Sequence, residues 1–159
     1  MSCRRHPGAT KRRGAVAVEF ALVLPFLLAT VVGLIELTRA YDVQNMLETG
    51  AREGARFAAM DRSGMLQDGE TANQKMIQDV TNLMASSGIP ASDVQVVIRD
   101  AANPSQPFDL DDPINDLALF EVEVSVPFSA VSLTPITPEN DYTLSASITF
   151  RNGKSTLSQ

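Results

Sequence analysis

With 159 residues, one cysteine, one histidine and no tryptophan, the chain is long enough for one small domain and too poor in thiols for a disulfide framework or a cysteine metal site. Its formal net charge of −6 is unevenly held: residues 1–14 carry Arg4, Arg5, Lys11, Arg12 and Arg13 and no acid, leaving 8 basic against 19 acidic residues, a net −11, for residues 15–159. So acidic a body makes a poor nucleic-acid binder.

The basic leader, which also holds Cys3 and His6, runs into GAVAVEFALVLPFLLATVVGLIEL at residues 14–37. Counted back from Glu36 to Ala15, the apolar run is about 21 residues, or ~32 Å of helix at 1.5 Å per residue, which spans a bilayer. A helix apolar on every side would otherwise need a core larger than this chain supplies. The basic leader sets the amino terminus in the cytoplasm and the remainder outside. An ordinary signal peptide has a shorter apolar core ending at a small-residue cleavage site, whereas Glu36, Leu37, Thr38, Arg39 and Ala40 follow here.

Glu19 is out of place on hydropathy alone, since a carboxylate in a membrane segment demands a partner. Cleavage after Gly14 would create one. The new α-ammonium of Ala15 would lie four residues before Glu19, one turn away on the same face, within a subunit or between packed subunits. The plainer alternative leaves Glu19 at the interface, snorkelling or protonated. Pro25 removes the backbone bond to Ala21 and predicts a local kink, serving bundle packing or simply tolerated.

The basic leader ending in Gly14, the AVAV that follows, and Glu19-Phe20 resemble the prepilin peptidase site of type IV pilins and pseudopilins. More narrowly, RRGAVAVEFALVLPFLLATVVGLIEL with the later ETGAREGARFAA resembles the TadE-like family, pseudopilins of the tight-adherence (Tad/Flp) pilus system, over residues 12–59. The resemblance implies processing after Gly14, with Ala15, Glu19 and Phe20 as the recognised mature positions. It also implies the inner membrane as location, and a prepilin peptidase, other pilins or pseudopilins and the pilus assembly platform as partners.

Beyond the membrane segment the helix is expected to continue over residues 38–60. Val43, Met46, Leu47, Gly50, Gly54, Phe57 and Ala58 gather on one face, with Asp42, Asn45, Glu48, Arg52, Glu53 and Arg56 on the other. Gly50, Ala51, Gly54, Ala55 and Ala58 make a stripe of small residues that admits another backbone, although each glycine costs roughly 1 kcal/mol against alanine. Its partner is either this protein's own sheet or a neighbouring subunit's helix. Glu48 and Arg52 read as a surface pair.

Residues 61–69 read as a loop, and 71–86 as a second helix capped by Thr71, striped by Met76, Ile77, Val80, Leu83 and Met84, and ended by Gly88 and Pro90. The period then becomes two. Strands are expected at 93–99 (Val94, Val96 and Ile98 inward), 119–128 (Phe120, Val122, Val124, Val126 and Phe128 inward) and 142–151 (Leu144, Ala146, Ile148 and Phe150 inward). The loop 101–118, with Asp109, Asp111, Asp112 and Asp116, reads as a solvated acidic loop or, less simply, a calcium site, though Pro113 and Ile114 break the EF-hand spacing. Residues 134–141 read as a plain connection and 152–159 as a frayed polar tail.

The fold class is therefore α+β: a transmembrane helix over 15–37, its extension over 38–60, and an exported domain over 61–159 with a second helix and an antiparallel sheet of about three strands. Catalysis finds no support. The one histidine and one cysteine fall in the leader, no phosphate loop or carboxylate pair stands out, and a serine dyad with Lys75 or Lys154 lacks any motif. No cofactor is implied. The alternative to a pseudopilin is an uncleaved, signal-anchored envelope protein with an extracytoplasmic binding domain.

Overall fold

The computed structural model describes residues 9–60, 62, 64–134 and 141–153, with side chains from residue 14 onward. Cys3, His6, Lys154, most of the 134–141 connection and the tail beyond Gly153 lie outside the described residues. The chain divides into two units, one ending at Thr38 and the other beginning at Arg39.

In the first unit every described residue is helical, as part of α1, Ala9–Ala59, with Pro25 inside it. None of its most apolar window is buried. Phe20, Leu22, Phe26 and Leu34 are all more than half exposed. The hydroxyls in this segment turn inward on their own backbone: Thr30 donates to the Phe26 carbonyl at 2.8 Å and Thr38 to that of Leu34 at 2.9 Å. That leaves no hydroxyl hydrogen unbonded on these side chains, as a helix in hydrocarbon requires.

The second unit combines α1 from Arg39 onward with α2, Ala72–Ser86, and a sheet of β1, Gln95–Asp100, β2, Leu119–Pro127, and β3, Thr143–Arg151. The strands form an antiparallel meander in the order β1-β2-β3. β2 is central, and Phe120, Val122, Val124 and Val126 are completely buried, because alternate residues of a strand share one face. Val122 stands opposite Ile98 on one side and Ile148 on the other. On the opposite face Arg99 of β1 pairs with Glu123 of β2.

The predicted helix ends are those observed. Thr71 caps α2 by accepting from the Gln74 N–H, and the Gln74 side chain returns a bond to the Thr71 N–H, a reciprocal capping box. At the other end the Ile89 N–H bonds the Met84 carbonyl and the Gly88 N–H that of Ala85, with Gly88 left-handed. Met76, Val80 and Met84 point into the core, Leu83 is half-buried and Ile77 remains 38% exposed.

Four expectations need correction. The first strand begins at Gln95, after a 3-10 turn over Ala91–Asp93. The second stops at Pro127, where Phe128–Ala130 winds into another such turn that still buries Phe128. Phe150 is 42% exposed, not inward; it lies near the end of β3, an edge strand paired only with β2. The 101–118 loop is not merely solvated, for Phe108 and Leu110 are buried in the core.

Candidate functional site

The residues singled out for processing lie within two turns near the start of α1. Gly14, Ala15, Glu19 and Phe20 are all helical and exposed, and Gly14 has open space where a Cβ would be. Ala15 and Glu19, four apart, stand one turn from each other on the same side. The site is an accessible apolar helix carrying one acid near its start. Glu19 is the one ionisable side chain among these four residues.

The part of α1 from Arg39 onward supplies the second set. Val43, Leu47, Ala51, Ala55 and Ala58 are buried, while Asp42, Asn45, Glu48, Arg52, Glu53 and Arg56 are exposed. Glu48–Arg52 and Glu53–Arg56 are exposed ion pairs at 3.3 and 2.7 Å, each worth a few tenths of a kcal/mol. The glycines face α2: a Cβ on Gly50 would come 2.7 Å from Met84 Cε, and one on Gly54 would come 3.0 Å from Val80 Cγ2. Gly50 and Gly54 are thus where α2 closes onto α1. The sheet meets α1 at other positions, through Gln44, whose amide donates to the Ser145 carbonyl at 2.8 Å.

A buried polar cluster at the carboxyl end of α1 was not foreseen. Arg62 is 6% exposed and Asn152 1%. The Arg62 guanidinium donates to the carbonyls of Ala58 and, at 2.7 Å, Leu110, and to Asn152 Oδ1 at 3.2 Å. The Asn152 amide in turn donates to the carbonyls of Leu110 and Asn115 at 3.2 and 3.1 Å. A cation at a helix carboxyl end answers the last carbonyls and the negative end of the dipole. The next residue, Gly153, donates to Ala58 O at 3.0 Å, and a Cβ there would sit 2.8 Å from Ala59 O. The start of the expected frayed tail is therefore locked into the fold.

The acids of the 101–118 loop serve as caps. Asp111 accepts from the Ala72 N–H at the start of α2 at 2.7 Å, Asp112 from the Ile114 N–H, and Asp109 from the Asp111 N–H. A carboxylate at a helix amino terminus is where the dipole favours it. Among the described residues no three His, Cys, Asp or Glu side chains gather as a metal site. Lys75, weighed as a catalytic base, is held by Asp79 at 2.8 Å, and this hydrogen bond pushes its ammonium up. Asp141 accepts from the Ser129 hydroxyl and N–H at 2.6 and 2.9 Å, the hydroxyl first of the bonds that hold its carboxyl below the usual range.

No curated protein and no solved structure matches the chain. A family model does, that of TadE-like protein, over residues 14–56. The matched segment opens at Gly14, takes in the whole exposed apolar helix and Glu19, and closes two residues after Gly54. The chain thus carries, at residues 14–56, a segment that matches the TadE-like family model.

Proposed function

We propose that the protein is a minor pseudopilin-like component of a tight-adherence (Flp) pilus assembly or secretion system, processed by a prepilin peptidase after Gly14. It is held in the inner membrane by residues 15–37, with its amino terminus in the cytoplasm and residues 38–159 outside. The observation that carries this reading is the junction itself: an acid-free basic leader, then Gly14, then Glu19 and Phe20 at the fifth and sixth mature positions of an exposed apolar helix. The family match begins at that same glycine.

In this reading Gly14 is the residue the peptidase cuts behind, and Glu19 the charge that meets the new Ala15 ammonium and sets register between packed helices. Phe20 and the apolar residues after it form the surface that lies in lipid or against other pilins and the assembly platform. The exported unit is then the part that partners outside the membrane meet.

The test is the mature amino terminus, read by mass spectrometry after co-expression with an active, matching prepilin peptidase. A terminus at Ala15, abolished by Gly14→Val, is the expected result. An intact leader, with the peptidase cutting a second substrate in the same cells, would overturn the reading in favour of an uncleaved anchor carrying a binding domain.

A further inference from the structure

Two demands of the fold meet at one dipeptide. The Arg62 cluster needs an amide at 152, where the side chain accepts from the guanidinium at 3.2 Å and donates to the carbonyls of Leu110 and Asn115 at 3.2 and 3.1 Å. The backbone beside it needs a glycine at 153, since a Cβ there would come 2.8 Å from Ala59 O. Together they set the chain's single Asn-Gly sequence at Asn152-Gly153. An asparagine followed by glycine is the amide most prone to spontaneous loss of ammonia, because glycine has no side chain to obstruct the attacking backbone nitrogen.

That chemistry needs only water and a solvent base. The Gly153 nitrogen bonds to Asn152 Cγ and gives its proton to solvent, while the Cγ–Nδ2 bond breaks and the amide nitrogen takes up a proton and departs as ammonia. A succinimide ring is left. Water opens it at Cγ to give aspartate, or at the Asn152 backbone carbonyl to give isoaspartate, whose chain runs through Cβ and Cγ. Ammonia leaves, water enters, and nothing is oxidised or reduced.

In the folded chain the reacting groups are held elsewhere. The Gly153 N–H donates to Ala58 O at 3.0 Å and the Asn152 N–H to Ala118 O at 2.9 Å, so both amides of the dipeptide are pinned. Asn152 is 1% exposed. Ring closure has to turn Cγ onto the Gly153 nitrogen, which gives up the bonds to Arg62, Leu110 and Asn115. We propose that Asn152-Gly153 is a spontaneous modification site, closed while the Arg62 cluster is formed and open once it is lost. The change runs one way. Aspartate sets a further acceptor against the two carbonyls, and isoaspartate lengthens the backbone by a carbon and shifts Gly153 away from Ala58. A chain that opens for long enough is therefore marked at this dipeptide and does not close again as tightly, a chemical route to irreversible unfolding. This is independent of processing and of pilus membership.

The test compares full-length protein in nonionic detergent, at mildly alkaline pH, with the same protein unfolded in guanidinium chloride. Mass spectrometry of the peptide holding residues 152–153 follows the mass gain and the isoaspartate. Modification should be at least ~30-fold slower in the folded protein, the ratio that about 2 kcal/mol of closure sets when reaction goes through opening. A ratio below ~10, less than about 1.4 kcal/mol of closure, would overturn the proposal. Arg62→Gln, shown folded by circular dichroism, should modify faster than the wild type under folding conditions, and an unchanged rate would remove the cluster as the latch. Should that variant fail to fold, the wild-type ratio decides alone. Molecules already modified and then returned to folding conditions should unfold at lower denaturant than unmodified ones, and equal midpoints would refute the one-way step.

Discussion

Asn152 holds three partners at once through its side chain. Its oxygen accepts from Arg62, and its amide donates to the carbonyls of Leu110 and Asn115. Asn152→Ala would leave two carbonyls and one guanidinium N–H without that partner in a site 1% exposed. At roughly 1–3 kcal/mol for an unsatisfied buried group, and with partial relaxation, a loss of about 2–4 kcal/mol is expected. The urea midpoint should fall at unchanged slope. A change within ~0.5 kcal/mol, the usual range for surface sites, would mean that the cluster is exchanged freely with water. Asn152→Asp should not rescue it, because a carboxylate faces the two carbonyls as a further acceptor while gaining only the Arg62 contact. None of this was legible in the chain. An asparagine at position 152 in a polar stretch looks like tail, and Arg62 looks like loop, because the partners that make each one structural are 90 positions apart.

At the scale of elements, much of the fold could be read because its signals are local. The capping box of Thr71 and Gln74, the end of α2 at Gly88 and the alternation of β2 are each written within a few residues. What could not be read is which element a face meets. The stripe at Gly50 and Gly54 announces a close neighbour, yet its spacing is the same whether the neighbour is a sheet, another subunit or α2. The structure makes the two glycines unequal. An alanine methyl at 50 would meet the terminal methyl of Met84, which swings aside easily, whereas one at 54 would meet a methyl of Val80, held in a single rotamer on its helix. Gly50→Ala should be near neutral, the gain of about 1 kcal/mol in helix propensity offsetting the repacking. Gly54→Ala should be net destabilising by about 1 kcal/mol or more, because overpacking against a stiff side chain typically costs 1–3 kcal/mol. Urea unfolding of the two variants side by side checks the order, and a reversed order would refute this account of the helix contact.

For the whole molecule, the decisive fact is where the core lies. Its buried hydrophobic residues run from Val43 to Ala146, while none of the most apolar window of α1 is buried. The segment of highest hydropathy is thus absent from the core, the reverse of what a soluble protein does with its most apolar stretch. Residues 39–159 contain a complete core of their own, with both helix faces, the sheet and the Arg62–Asn152 cluster. A fragment beginning at Arg39 should therefore be soluble and fold without the apolar segment. It should show mixed helix and strand in far-ultraviolet circular dichroism and one cooperative urea transition, with a slope of about 1–3 kcal/mol per molar. It loses nothing that the core uses. Its α1 becomes an ordinary amphipathic helix whose new terminus lies four residues before the first core side chain, Val43. A fragment that instead unfolds without cooperativity and binds a hydrophobic dye would show that the apolar helix contributes to the fold as well as to the membrane. The two units would then be one folding body.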